Sequence, residues 1–233
     1  MPRAAPITPD AVALAYAPAE ATSVSQGRRW LERSAKRAID VIVAGVALVL
    51  LLPLLALVAG AVWAGDRKSP IFRHRRLGRQ GRPFGCLKFR TMVVEAEAAL
   101  AAHLVANPAA QAEWDATHKL TDDPRVTAIG RVLRKTSLDE LPQLINVLRG
   151  DMSLVGPRPI VQAEVARYGS AFPACFSVPP GVTGLWQVSG RSDTTYEERI
   201  ALDLAYAAGW SLKRDLVILI RTVPAVFGQR GSR

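Results

Sequence analysis

The 233-residue chain has only two cysteines, Cys86 and Cys175, and three histidines. Two unpatterned cysteines exclude a disulfide framework and point to a reducing compartment. His74, His103 and His118 are scattered with no zinc-type spacing, so each reads as a surface or satisfied histidine and not as a ligand. Aromatic residues are scarce at 6%, although 49% of the chain is hydrophobic. That excess of Ala, Val and Leu speaks for helix and membrane contact and against an all-β fold.

Acidic balance is missing from one region only. Residues 28–90 hold 14 Lys/Arg against Glu32, Asp40 and Asp66, a balance of +11. Residues 1–27 come to −1, and residues 91–233 balance at zero. The chain's net +10 therefore belongs to the segment that contains its main apolar run. Such a band would suit a non-catalytic protein that holds anionic lipid or nucleic acid. It leaves unexplained an acidic pair set among arginines outside the band, and nucleic acid is not an expected partner.

Residues 1–27 are rich in Ala, Pro, Ser and Thr without a sustained period, the pattern of a disordered leader. Residues 28–68 form a second unit. It opens with Arg28, Arg29, Arg33, Lys36 and Arg37 around Trp30, Leu31 and Ile39, the start of an interfacial helix. From Val41 to Gly65 there is no charge for 25 residues. As a straight helix that run would span roughly 37 Å, enough to cross a bilayer. Pro53 near its middle removes a backbone bond, and both flanks are basic. Basic flanks stay on the cytoplasmic side. The expectation is a helix–break–helix hairpin that enters one leaflet and returns, with Pro53 at the break.

Residues 69–233 are expected to form a cytoplasmic catalytic domain with interfacial C-terminal helices. Ile71-Phe72 and Phe84 to Phe89 read as short strands between turns. Two helices fit residues 93–119, interrupted at Asn107-Pro108. Ser137 with Glu140 has capping-box spacing, and Leu138, Leu141, Leu144, Ile145 and Leu148 share one helical face. On that wheel Asp139 lies opposite, free of the core, while Pro142 kinks the helix or delays its start. Thr194 and Glu197 have the same capping spacing and open a helix through Tyr206. The stretch Leu212 to Phe227 is amphipathic, either interfacial or packed on the core. The fold class is α/β and mostly helical.

The densest polar constellation runs from Asp122 to Arg158. Acidic residues in a first helical turn often do no more than complement the dipole. Here Arg131, Arg134 and Lys135 precede Asp139-Glu140, and Arg158 follows in a Gly-Pro-Arg-Pro turn. Two adjacent carboxylates among cations suit phosphoryl transfer: one attacks phosphorus, the other holds a metal, and arginines grip equatorial oxygens.

The runs KFRTM (Lys88 to Met92), SLDELPQL (Ser137 to Leu144), GDMSLVGPRP (Gly150 to Pro159) and GVTGLWQVSGR (Gly181 to Arg191) resemble those of the bacterial sugar transferase family, over about residues 30–230. These are small monotopic phosphoglycosyl transferases. The resemblance implies a re-entrant membrane helix broken near a proline, matching Pro53. It implies Asp139 as the nucleophile of an aspartyl-phosphosugar intermediate and Glu140 as a Mg²⁺ ligand. Lys88, Arg90, Arg134, Arg158 and Arg191 would contact phosphate or nucleotide. The implied reaction moves hexose-1-phosphate from UDP-galactose or UDP-glucose, with an N-acetylated sugar as the alternative, to polyprenyl (undecaprenyl) phosphate. UMP is released, as the first step of exopolysaccharide synthesis at the cytoplasmic face of the bacterial inner membrane. A homo-oligomer is compatible with the reading. One departure stands out: Pro179-Pro180-Gly181 replaces the family's usual Arg-Pro-Gly, so a cation expected near the nucleotide is missing at position 179.

Overall fold

The computed structural model describes residues 26–117, 120–190 and 194–227. The expected leader lies outside them but for its last two residues. The structure is mostly helical, with two small two-stranded sheets.

Helix α1 (Gln26–Asp66) is 41 residues long and remains helical through Pro53, where a break between two helices was expected. It is long and apolar enough to cross a membrane by length and composition. Its buried positions Asp40, Ala44, Val58 and Val62 lie on one stripe, which faces the rest of the protein. On the other side Ile42, Val46, Val49, Leu50, Leu52 and Leu57 are between 54% and 73% exposed. Removing six such side chains from water is worth on the order of 10 kcal/mol, so this face is built for an apolar surrounding. Pro53 is exposed on that face. Its ring crowds the carbonyl four residues earlier and opens the helix on its own side, which favours bending toward the protein.

Strands β1 (Ile71–Leu77) and β2 (Pro83–Phe89), each longer than the expected Ile71-Phe72 and Phe84 to Phe89, form an antiparallel hairpin paired from Ile71↔Phe89 to Leu77↔Pro83. Since facing residues share a side, Arg76, Cys86 and Lys88 project from one face. Helices α2 (Ala96–Ala106) and α3 (Pro108–Thr117) flank Asn107 as the sequence predicts. Helix α4 (Ala128–Thr136) is capped by Thr127, whose hydroxyl accepts from the Gly130 amide. A side chain at Gly130 would collide with the Thr91 carbonyl, so this glycine permits helix and strand end to touch backbone to backbone.

Two expectations about the next segment are corrected. Ser137 does not cap a following helix. It ends α4 in the left-handed conformation (φ 57°), its amide bonded to the Arg134 carbonyl. Leu138–Glu140 then form a single 3₁₀ turn, and helix α5 (Gln143–Arg149) begins only after Pro142. A turn of three residues does not follow the 3.6-residue wheel. Asp139 is accordingly buried at 9% exposure instead of facing solvent.

Strand β3 (Ser153–Val155) pairs in parallel with β4 (Gly181–Thr183). Between them lie α6 (Val165–Tyr168) and α7 (Phe172–Cys175). After β4 come α8 (Leu185–Ser189), α9 (Tyr196–Ala208) and α10 (Leu212–Phe227). The capping box of α9 is Thr195 with Glu198, one residue later than the spacing suggested. Helix α10 has the expected bounds. It buries Asp215 and Ile218 while leaving Leu216, Ile220 and Val223 exposed, so it both packs on the core and presents an apolar outer face.

Candidate active site

Lys88, Glu140 and Arg158 come from three separate elements and meet at one pocket, lined also by Arg76, Cys86 and Gln143. The Lys88 Nζ donates to Glu140 Oε1 at 2.6 Å and lies 3.9 Å from Asp139 Oδ2. Arg158 Nη1 is 3.9 Å from the same Glu140 oxygen. Among the charged lining groups three are cations and one is an anion, a surplus that favours a phosphate.

The two carboxyls are pushed in opposite directions. Burial raises Asp139 to about 6, the adjacent Glu140 charge adds to this, and Lys88 and Arg134 oppose it. Burial would raise Glu140 too, but Lys88 and Arg158 outweigh it and hold that group below its ordinary value. The result is one firmly ionised, cation-bound carboxylate beside one that is weakly compensated and more basic. The more basic oxygen is the better nucleophile.

Local sequence explains how Arg158 arrives. A side chain at Gly156 would lie 2.3 Å from the Pro179 carbonyl, and one at Gly181 2.1 Å from the Gly156 amide. Only glycines let these chains approach so closely. Gly156 donates to Thr183 and Gly181 donates to Pro157, which sews the Gly-Pro-Arg-Pro turn to the start of β4. Trp186 supports the side chain, with its ring centroid 5.8 Å from the Arg158 guanidinium carbon and 5.2 Å from that of Arg199.

Not every expected residue converges. Arg134 reaches Asp139 electrostatically, but its Nε donates to Thr91 Oγ1 at 3.0 Å. Arg90 is not at the pocket. Its guanidinium grips Asp66 at the end of α1 through two bonds of 2.5 and 2.6 Å. Arg191 lies outside the described residues. Arg76 was missed by sequence reasoning. Burial, with the nearby Arg158 charge, lowers its pKa, a repulsion that an anion in the pocket would relieve. The available signal was strand alternation, which turns Arg76 inward while Arg73 and Arg75 stay exposed. Arg76 thus adds a third cation to the pocket beside Lys88 and Arg158.

Among the described residues no three His, Cys, Asp or Glu side chains cluster as a metal site. Glu140, held in its charged form, would supply the single carboxylate that a Mg²⁺ ion needs when its other ligands come from water and substrate phosphates.

The family model described as bacterial sugar transferase matches residues 31–229. The exopolysaccharide production protein ExoY of Sinorhizobium fredii is 52% identical over 197 residues, covering 84% of this chain and 87% of the relative. The undecaprenyl-phosphate galactose phosphotransferase of Salmonella typhimurium is 46% identical over 200 residues, 86% of this chain and 42% of that protein. The UDP-glucose:undecaprenyl-phosphate glucose-1-phosphate transferase of Caulobacter vibrioides is 43% identical over 199 residues, 82% of this chain and 69% of the relative. A match over nearly the whole described chain, together with an acidic pair at the edge of a cationic pocket, shows that this chain belongs to the bacterial sugar transferase family.

Proposed function

We propose that the protein transfers hexose-1-phosphate from UDP-galactose or UDP-glucose to undecaprenyl phosphate, releasing UMP, in exopolysaccharide synthesis. The observation that carries this reading is the Asp139–Glu140 pair beside a pocket holding Arg76, Lys88 and Arg158. Galactose and glucose are the sugars in the relatives' names. Purified protein given polyprenyl phosphate and a panel of UDP-sugars should release UMP fastest with one of these two. Release with none of the panel would overturn the reading.

In this mechanism an Asp139 oxygen forms a bond to the sugar-bearing phosphorus, and the bond from that phosphorus to the UMP oxygen breaks. The lipid phosphate then attacks the same phosphorus and frees the carboxylate. Lys88 and Arg158 hold the diphosphate oxygens, and the low pKa of Glu140 keeps a charged ligand available for Mg²⁺. When bound, the ion would offset charge on the leaving nucleotide. Arg158→Lys keeps the charge but loses the bidentate fork. Activity should fall at least ~10-fold, of order 1.4 kcal/mol. A wild-type rate would leave Arg158 without a role in phosphate binding.

We further propose that α1 is re-entrant at the inner membrane, with the catalytic domain on the cytoplasmic face. Support comes from its two ends. Arg37 donates to the Val147 and Leu148 carbonyls of α5, and Asp66 pairs with Arg90 of the same domain. A spanning helix would have to release one of these attachments to cross. Single cysteines near Arg33 and Arg73, with Cys86 and Cys175 replaced, should both resist a membrane-impermeant thiol reagent in intact cells. Labelling of one alone would mean that the helix spans.

A further inference from the structure

The polar contacts between α1 and the domain include a buried set that involves neither carboxyl of the acidic pair. Lys36 Nζ donates to Asp215 Oδ2 of α10 at 2.6 Å and to the Val155 carbonyl at 3.2 Å. Asp40, one turn further along α1, accepts from the Leu154 amide at 3.1 Å. Asp215 also accepts from Tyr206 at 2.7 Å and from Trp210 Nε1 at 3.1 Å. The Lys36, Asp40 and Asp215 side chains are only 12%, 6% and 9% exposed. Apolar contacts would hold α1 in place without the desolvation cost of three charges. Directional bonds supply something apolar contacts do not, which is a fixed register. Here that register is set against Leu154 and Val155, and the next three residues are Gly156, Pro157 and Arg158.

We propose that Lys36, Asp40 and Asp215 are positioning residues that transmit the seating of the membrane helix to the Arg158 turn. The chain of contact is short. The two α1 side chains pin the last two residues of β3. The Gly156 amide then bonds to Thr183, and the Gly181 amide to the Pro157 carbonyl. Movement of α1 away from the domain frees the Leu154 amide and takes one of two donors from the Val155 carbonyl, leaving Tyr206, and so loosens the root of the turn. Phosphate binding in the pocket is thereby coupled to correct seating of α1, so that the enzyme works when its helix is in place.

The inference rests on Arg158 acting as a phosphate ligand, and a double-mutant cycle separates the two claims. Asp215→Asn, Arg158→Ala and the double variant are purified, checked for folding by circular dichroism and gel filtration, and assayed for kcat/KM toward the UDP-sugar. Asp215→Asn should lower kcat/KM at least ~10-fold in the wild-type background and less than ~2-fold when Arg158 is already alanine. Equal losses in both backgrounds would mean that Asp215 acts on general stability, and the proposal fails while the Arg158 reading stands. Wild-type activity of Arg158→Ala would remove that reading and this inference with it. Should Asp215→Asn not fold, Tyr206→Phe enters the same cycle, because it keeps the ring and deletes the hydroxyl that bonds both Asp215 and the Val155 carbonyl. Additivity there overturns the proposal equally.

Discussion

Asp139→Asn should abolish UMP release, a loss of at least ~10⁴-fold, and at the same time make the folded protein more stable near neutral pH. The first effect follows from removing the anionic oxygen that we propose attacks phosphorus, since an amide at the same position has no comparable nucleophile. The second follows from the cost of keeping that oxygen charged. Burial raises the Asp139 carboxyl from 3.8 to about 6. The folded state therefore binds its proton more tightly than the unfolded chain does. Below 3.8 both states are protonated and nothing is lost. As pH rises through that value and then through about 6, the ionised form becomes a growing liability to the fold. Above about 6 it levels off at ~1–3 kcal/mol, from about 1.4 kcal/mol for each pH unit of a shift that already includes the opposing pull of Lys88. Asparagine carries no charge and avoids the penalty. Thermal unfolding at pH 7.5 should show the variant melting several degrees higher, with the difference shrinking toward pH 4. If Asp139 is the nucleophile, as proposed, wild-type kcat/KM should fall as pH drops through about 6, when its carboxylate becomes protonated. Residual turnover in Asp139→Asn, or a melting curve no higher than wild type, would count against the assignment.

The readable parts of the fold were those set by neighbours in sequence. An uncharged run, short apolar stretches between turns and an Asn-Pro interruption marked the places of α1, of strands β1 and β2 and of the α2–α3 pair, because each pattern specifies its own backbone, although α1 runs unbroken through Pro53 where a break was expected. The bounds of α10 were legible for the same reason. What failed depended on distant residues or on a non-α turn. The Ser137 capping box looked sound, yet α4 ends on Ser137 in a left-handed conformation and the acidic pair follows in a 3₁₀ turn. Arg90 sat inside the most recognisable motif, but its guanidinium goes to Asp66. Lys36 and Asp215 are separated by 179 residues, and no local pattern predicts their bond. The acidic pair itself was legible as chemistry. Its division into a raised and a lowered carboxyl was not, since that depends on burial and on Lys88 and Arg158 arriving from elsewhere.

Wild-type protein given sugar-labelled UDP-hexose without lipid should acquire label on Asp139, and polyprenyl phosphate should discharge it. The site's electrostatics favour a two-step route over direct attack by the lipid. A lipid phosphate carries negative charge, and bringing it against a diphosphate requires both anions to share one cationic pocket. With Arg76, Lys88 and Arg158 as its cations and Glu140 as its anion, that pocket has a surplus of only two positive charges. Splitting the transfer lets UMP leave before the second anion enters, so the same cations serve each in turn. Asp139 suits the intermediate for the reason that makes it costly to the fold. Its carboxylate is buried and less firmly paired than Glu140, so its lone pairs are not tied up by a close cation. The double-displacement route also predicts parallel lines when donor is varied at several lipid concentrations. It predicts exchange of labelled UMP into UDP-hexose without any acceptor. Neither signal should survive in Asp139→Asn, whereas both should persist at reduced rate in Arg158→Lys. Intersecting lines, no acceptor-free exchange and no trapped label would together exclude the covalent route, even in an enzyme that makes the expected lipid product.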